Sequence, residues 1–327
     1  MVRTRSIDGE SAVTCCRRTR NTARRLWPPG VIWCDLHTTR LYRTTSSDVD
    51  TDAEDQGEGR RAAVMMVHDR VVAITGGGAG LGAAACRRAE ELGAAAIAVL
   101  DIDGDAAAAV ASEVGGLAVR CDVSSEADLR NAIDSAQGEL GAIDIFISNA
   151  GVGGFSDPFT SDDHWLREYA IHVMSNVYAA RALLPGMLAR SSGHLAAVAS
   201  ANALTSNPVA LAYSVTKHAQ LALAEWLAFT YASRRIEASC FCPKGMLTPM
   251  MKAGAGATAY GRDAMATAVT PEAAATMLFD TIESGHFLGI THPAVVEDFS
   301  SKFPDYDAYI GRMAELHDRL VPEVGAP

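Results

Sequence analysis

The sequence has no stretch approaching the ~18 uninterrupted apolar residues that a membrane-crossing helix requires. No apolar run follows its basic N-terminus either, so a secretory leader is not expected. A CxxC pair is also missing. The seven cysteines stand at 15, 16, 34, 86, 121, 240 and 242, an odd number without metal-ligand spacing. Neither a disulfide framework nor a metal site is therefore expected. Cys86 and Cys121 fall in apolar stretches, where a free thiol serves as a small hydrophobe. Positive charge is scarce, with 28 Lys and Arg against 39 Asp and Glu and a net charge of -11. What basic character there is lies at the start, where residues 1–47 hold nine Arg against three acids. The acidic remainder repels a phosphate backbone, which excludes nucleic acid as a partner. A reducing, cytoplasmic setting without membrane attachment is the expectation.

What is present is an ordinary globular composition, 49% apolar and 20% charged over 327 residues, which excludes global disorder, collagen and coiled coil. Residues 1–64 stand apart. They are rich in Arg and Thr, are broken by Trp27-Pro28-Pro29-Gly30, and end in an acidic run from Asp48 to Glu58. Three readings fit: translation beginning at Met65 or Met66, a disordered tail, or a transit peptide. Residues 65–327 are expected to form one domain.

From residue 70 the pattern is regular. Arg70 to Thr75, Ala95 to Asp101, Leu117 to Cys121, Ile143 to Ile147, His194 to Ala199, Ile236 to Cys242 and Phe287 to Ile290 are short, apolar and β-branched, as strands are. Residues Gly80 to Leu92, Asp105 to Val114, Glu126 to Gln137, Asp162 to Leu188, Ala212 to Ser233 and Pro271 to Ser284 carry helical patterns between them. Strict alternation of strand and helix predicts an α/β fold, a doubly wound parallel sheet of about seven strands flanked by helices on both faces. Ligands on such sheets sit at the carboxyl ends of the strands.

The first of these strands ends in Thr75-Gly76-Gly77-Gly78-Ala79-Gly80-Leu81-Gly82 and runs into a helix. Glycines there let backbone N–H groups approach a pyrophosphate, whose charge suits the positive end of the helix. Such turns also arise only because a strand must reverse tightly. Asp101 ends the second strand, 19 residues after Gly82, close to the ~20-residue spacing of a ribose-binding acid in dinucleotide folds. A 2′-phosphate about 4 Å from that carboxylate would cost a few kcal/mol at an effective dielectric near 20. No Arg or Lys lies within residues 75–86 or 101–119 to offset it. The cofactor expected is NAD rather than NADP.

Tyr213 and Lys217 lie four residues apart at the start of a helical segment, hence on one face. An ammonium within about 4 Å favours the phenolate by a few kcal/mol, comparable with the ~3 pK units between a free Tyr and neutral pH. Tyr213 is then expected to serve as general acid or base.

With these residues in view, the segment from Val71 to about Ile290 resembles the short-chain dehydrogenase/reductase family, of the single-domain Rossmann type. The family's TGxxxGxG turn is matched by Thr75, Gly76, Gly80 and Gly82, its NAG motif by Asn149-Ala150-Gly151, and its YxxxK by Tyr213 and Lys217. Its catalytic Ser falls on Ser200, and the acid contacting adenine on Asp122, followed by Val123. The resemblance implies an NAD-dependent oxidoreductase acting on CH–OH groups, a secondary alcohol or its ketone. It assigns Ser200 to the substrate oxygen, Tyr213 to the proton, and Lys217 to the nicotinamide ribose and the Tyr213 pKa. The dinucleotide would be bound by Gly76, Gly78, Gly80, Leu81, Gly82, Asp101, Asp122, Val123, Asn149, Ala150, Gly151, Tyr213, Lys217, Pro243, Gly245 and Thr248. Lys244 departs from the family's PG pair.

His172 departs too, since it stands where the family has its catalytic Asn. It either takes over that residue's proton relay, leaves it to Asn176 one turn on, or is only packed. The Gly-, Ala- and Met-rich segment around 248–270 reads as a mobile lid or a plain loop. The resemblance further implies a homotetramer, with a dimer next, through the two long helical segments. A catalytically silent NAD-binding regulator or scaffold is the contrasting reading, and an intact Ser200, Tyr213 and Lys217 argues against it.

Overall fold

The computed structural model describes residues 32–35, 40–43, 66–254 and 259–324. The chain divides into two compact units, Met1–Arg61 and Ala62–Pro327. In the first, β1 (Ile32–Asp35) pairs antiparallel with β2 (Arg40–Arg43), two strands for which the sequence carries no clear signal. The readings of 1–64 otherwise lie outside the described residues.

The second unit begins with β3 (Val71–Thr75), α1 (Gly80–Glu91), β4 (Ala96–Asp101), α2 (Gly104–Val114), β5 (Leu117–Arg120), α3 (Glu126–Leu140) and β6 (Ile145–Ser148). Next come α4 (Asp162–Tyr169), a π-helical turn (Ala170–Met174), α5 (Ser175–Arg190), β7 (Gly193–Val198), α6 (Leu211–Tyr231) and β8 (Ile236–Cys242). The remainder is α7 (Pro249–Gly254), α8 (Ala259–Ala266), α9 (Pro271–Glu283), β9 (Leu288–Ile290), α10 (Pro293–Ser300) and α11 (Tyr306–Val324). Seven parallel strands run in the order β5-β4-β3-β6-β7-β8-β9. The order reverses between β3 and β6, which opens a crevice above those two strands.

Both sheet faces are covered, and the period of two in the strands decides which side chain goes where. Val72 and Ile74 pack with Leu81, Ala85, Leu278 and Phe279 from α1 and α9. Their neighbours Val71 and Ala73 pack with Leu129, Ile133, Leu183 and Met187 from α3 and α5. All five residues of β3 are buried, as a central parallel strand requires. Side-chain caps start the helices: Asp103 accepts from the backbone N–H of Asp105 and Ala106, Ser125 from Asp128, and Thr270 from Ala273 just after Pro271.

The expected strands and helices occur with ends shifted by a few residues. The long helical segment from Asp162 is interrupted by the π turn, which nothing in its periodicity announces. Within 248–270 the described residues include two short helices, α7 and α8; residues 255–258 lie outside the description. Beyond Ile290, α10 and α11 dock on the loop after Ser200. Lys302 Nζ donates to the Leu204 carbonyl at 2.6 Å, and the Ser206 N–H donates to the Tyr309 hydroxyl at 3.3 Å.

Candidate active site

The crevice at the strand reversal is a cavity of about 370 Å³. Its floor is the turn after β3. Gly76 and Gly80 have φ of 64° and 54°, the left-handed region that favours glycine. A β-carbon on Gly82 would overlap the Gly76 carbonyl oxygen, so α1 can approach the turn only without a side chain there. Thr75 and Asn149 tie the ends of β3 and β6 together. The Thr75 hydroxyl accepts from the N–H groups of Asn149 and Ala150 at 3.0 and 3.1 Å, while Asn149 Nδ2 donates to the Thr75 carbonyl at 2.9 Å. The NAG segment therefore acts as a brace at the switch point.

At one end of the cavity Asp101 holds the glycine turn. Its Oδ2 accepts from the Gly78 N–H at 2.9 Å and its Oδ1 from the Asp103 N–H at 3.0 Å. An ionised carboxylate has about four lone-pair directions, so two remain for ribose hydroxyls. Asp122 is fixed by the backbone and hydroxyl of Ser124, and Val123 lies beside it on the wall.

At the other end stand Ser200, Tyr213 and Lys217. Ser200 Oγ accepts from the Asn202 N–H at 3.1 Å and lies beside the Tyr213 phenol. Lys217 is 3% exposed. Its ammonium donates to the Val198 carbonyl at 3.0 Å and to Gln220 Oε1 at 2.9 Å. Burial lowers the Lys217 pKa to about 8.

Here the structure corrects the sequence reading of Tyr213. Its phenol is raised to about 12, chiefly by desolvation, with Ser200 pulling it down and Glu168 and Cys242 pushing it up. The expected pull by Lys217 fails because the ammonium lies 5.7 Å from the centre of the Tyr213 ring and directs hydrogens at Val198 and Gln220. In this state Tyr213 is a proton donor.

Of the residues expected to contact a dinucleotide, Gly76, Gly80, Leu81, Asp101, Asp122, Val123, Asn149, Ala150, Gly151, Tyr213, Lys217, Pro243 and Thr248 line the cavity. Gly78, Gly82 and Gly245 stand behind that wall. Gly78 packs on Ala106 and supplies its N–H to Asp101, and Gly245 packs on Ala264. His172 is also off the wall and fully buried, with Nε2 accepting from the Val152 N–H at 3.1 Å and Nδ1 2.9 Å from Thr216 Oγ1. Asn176 Nδ2 donates to the His172 carbonyl at 2.8 Å. Neither His172 nitrogen is left for a relaying water.

Some wall residues gave no sequence signal. Arg167 and Ile171 reach the cavity from one helical face, four residues apart, and Met246 closes it from the β8 side, beside Lys244, the departure from the PG pair, and Met250 of the lid segment. Gln220, which holds Lys217, lies three residues further along α6 and was not among the residues expected at the site.

A model of the short chain dehydrogenase family matches residues 70–257, more than half of the chain. The chain belongs to the short chain dehydrogenase family. This dehydrogenase is 32% identical over 216 residues to 2-(S)-hydroxypropyl-CoM dehydrogenase 3 of Xanthobacter autotrophicus, covering 64% of this chain and 81% of that one. Its fold matches a short chain dehydrogenase/reductase of Burkholderia phymatum in complex with NAD, with TM-score 0.68, 24% identity, and coverage of 75% and 96%. It also matches 3-ketoacyl-(acyl-carrier-protein) reductase of Brucella melitensis complexed with NADH, with TM-score 0.63, 26% identity, and coverage of 68% and 96%. Family membership makes the chain a nicotinamide-dependent oxidoreductase. The glycine cradle, the cavity above it and the acid at the β4 end fit that cofactor.

Proposed function

We propose that this dehydrogenase uses NAD to interconvert a secondary alcohol and its ketone. The observation that carries the proposal is the convergence of Ser200, Tyr213 and Lys217 on one end of a cavity whose other end is the glycine turn and Asp101. The Xanthobacter relative is named for a hydroxypropyl substrate and the Brucella one for a ketoacyl substrate, and both names describe that alcohol–ketone pair.

In this reading Asp101 takes the adenosine ribose, Asp122 and Val123 the adenine, and the turn from Gly76 to Leu81 the pyrophosphate. Asn149 to Gly151, Pro243, Thr248 and Lys217 flank the nicotinamide half. When bound, the dinucleotide supplies or accepts the hydride. The rest is done by side chains. Ser200, braced by the Asn202 N–H, holds the substrate oxygen. Tyr213, protonated at neutral pH, donates to that oxygen as a ketone is reduced and recovers the proton as an alcohol is oxidised. Lys217, anchored by the Val198 carbonyl and Gln220, binds the nicotinamide ribose.

The preference for NAD rests on Asp101, because a 2′-phosphate would meet its carboxylate. Assembly as a homotetramer is part of the same proposal. Leu166 and Tyr169 on α4 and Val215, Trp226 and Phe229 on α6 are exposed, Phe229 by 69%, and a second copy would cover these helices. A cytoplasmic site of action completes the reading; among the described residues no helix is long and apolar enough to cross a membrane.

The test is a panel of secondary alcohols and ketones with NAD and with NADP, followed by nicotinamide absorbance, alongside light scattering of the full chain. Turnover that favours NAD by tenfold or more, about 1.4 kcal/mol, supports the proposal. Tight NAD binding without turnover on a broad panel would instead favour a catalytically silent regulator, and a monomer at micromolar concentration would remove the tetramer.

A further inference from the structure

Ser200 and Tyr213 are joined by one stretch of chain. It leaves the end of β7 at Ser200, makes a single 3-10 turn (Ala201–Ala203), and enters α6 at Leu211, two residues before Tyr213. Ser200 caps that turn: its Oγ accepts from the Asn202 N–H at 3.1 Å and its carbonyl from the Ala203 N–H at 2.8 Å. The Ala201 carbonyl then accepts from the N–H groups of Leu204 and Thr205 and from the Thr205 hydroxyl. Further on, the Asn207 N–H donates to the hydroxyl of Ser214, the residue after Tyr213, at 2.9 Å. The middle of this stretch is thus one determinant of how the two hydroxyls sit relative to each other.

That middle is held by α10 and α11 and the turn between them, which lie beyond the residues 70–257 that the family model matches. Lys302, in the turn, is 6% exposed, and its ammonium donates to the Leu204 carbonyl. The same ammonium lies 5.0 Å from the centre of the Tyr309 ring and 5.9 Å from that of Phe299. The Tyr309 hydroxyl accepts from the Ser206 N–H. Among the described residues no carboxylate pairs with Lys302. Burying an ammonium without a counter-charge is costly, and a methionine would pack against the two rings without that cost. What the ammonium supplies and a methionine lacks is a hydrogen for the Leu204 carbonyl, at the end of the turn, where a carbonyl has no partner within the turn itself.

We propose that Lys302 and Tyr309 are positioning residues for the reaction, clamping the connection between Ser200 and Tyr213 so that both hydroxyls meet one substrate oxygen. Lys302 fixes the end of the turn that Ser200 begins, and Tyr309 fixes the backbone two residues further on. Neither touches substrate or cofactor, and neither makes or breaks a bond. The glycine turn and Asp101 have no part in this linkage, so the clamp acts on the chemical step and leaves the grip on the dinucleotide alone. A displacement of about 1 Å at a reacting group costs up to ~10²-fold in rate, so a loosened turn is read as lost turnover.

The proposal rests on the dehydrogenase reading above. The experiment measures, for the full chain as wild type, Lys302→Met and Tyr309→Phe, the single-turnover rate on an alcohol that the wild type oxidises, equilibrium NAD binding, and amide hydrogen exchange without ligand. Lys302→Met should lower the rate roughly tenfold or more, leave NAD affinity unchanged, and speed exchange at the N–H groups of Ala203 to Ser206. Tyr309→Phe keeps the ring that packs on Lys302 and should give a smaller loss of the same kind. If Lys302→Met does not fold, Tyr309→Phe decides by the same criteria. Wild-type rates in the variants, or a rate loss matched by an equal loss of NAD affinity, would overturn the clamp alone. No turnover by the wild type on any alcohol or ketone would overturn the dehydrogenase reading and the clamp's catalytic purpose with it; exchange in residues 203–206 that still responds to both variants tells that failure from a failure of the clamp itself.

Discussion

Nδ1 of His172 lies 2.9 Å from the hydroxyl oxygen of Thr216. Because Nε2 accepts the Val152 N–H, the ring hydrogen sits on Nδ1 and is donated to Thr216, whose own hydrogen goes to the Ala212 carbonyl at 2.9 Å. The imidazole thus pins the π turn to the loop after β6 and to α6, and its ring meets Tyr213 edge-on, with centroids 5.4 Å apart. A second ring proton would face the Val152 N–H.

That arrangement predicts acid lability. Burial, with help from the Lys217 charge, lowers the His172 pKa from 6.5 to about 2. Between those values the unfolded chain binds a proton that the native chain does not, so stability rises with pH there and falls on acidification. Two units below 6.5 the loss amounts to about 3 kcal/mol. Urea unfolding at pH 6.5 and 4.5 should show His172→Asn escaping most of that loss, and its kcat–pH profile should keep the wild-type limbs. Equal acid sensitivity in both chains would mean that His172 titrates normally.

For Tyr213→Phe the ring, and with it the edge-on contact to His172, is retained while the hydroxyl is lost. NAD affinity should hold, and turnover should fall by roughly 10² or more, the scale of a missing general acid. Single-turnover rates and equilibrium NAD titration separate the two. Retained turnover would take Tyr213 out of the mechanism.

These two residues mark how far the sequence could be read. Tyr213, Lys217 and the glycine turn were legible because their chemistry depends on short spacings along one element. Strand and helix alternation was legible because a buried parallel sheet forces continuous apolar runs. The tautomer of His172 was not, since it is set by Val152 and Thr216, 20 and 44 residues away. Nor was the direction of the Tyr213 shift, because proximity on a helix face says nothing about where Lys217 sends its hydrogens. Arg167 escaped a search limited to residues near Asp101 because it arrives from a distant element.

Asp101→Ala should act twice. Removing the carboxylate narrows the preference for NAD over NADP, seen as a smaller ratio of kcat/KM values. It also strands the Gly78 N–H, which has Asp101 as its acceptor, so unfolding should become easier by about 1–3 kcal/mol. A variant with unchanged cofactor ratio but lowered stability would leave Asp101 as a brace for the turn and nothing more.

Lys217→Met sets desolvation against hydrogen bonding. With the native pKa lowered from 10.5 to about 8, the buried ammonium carries a penalty of about 3 kcal/mol wherever both states are protonated, that is, below pH 8. The methionine removes this penalty but strands the Val198 carbonyl and Gln220 Oε1, at about 1–3 kcal/mol each, so near pH 7 the two chains should differ little in stability while turnover collapses. As pH rises from 8 to 10.5 the native lysine gives up its proton before the unfolded one does, and wild-type stability rises relative to the variant by most of the same ~3 kcal/mol. Comparing the two chains cancels the opposite contribution of Cys86 and Cys121, whose thiols are raised to about 12 in both. Urea unfolding at pH 7, 9 and 10.5 measures the swing, and a flat difference would show that Lys217 bears no desolvation penalty in the native site.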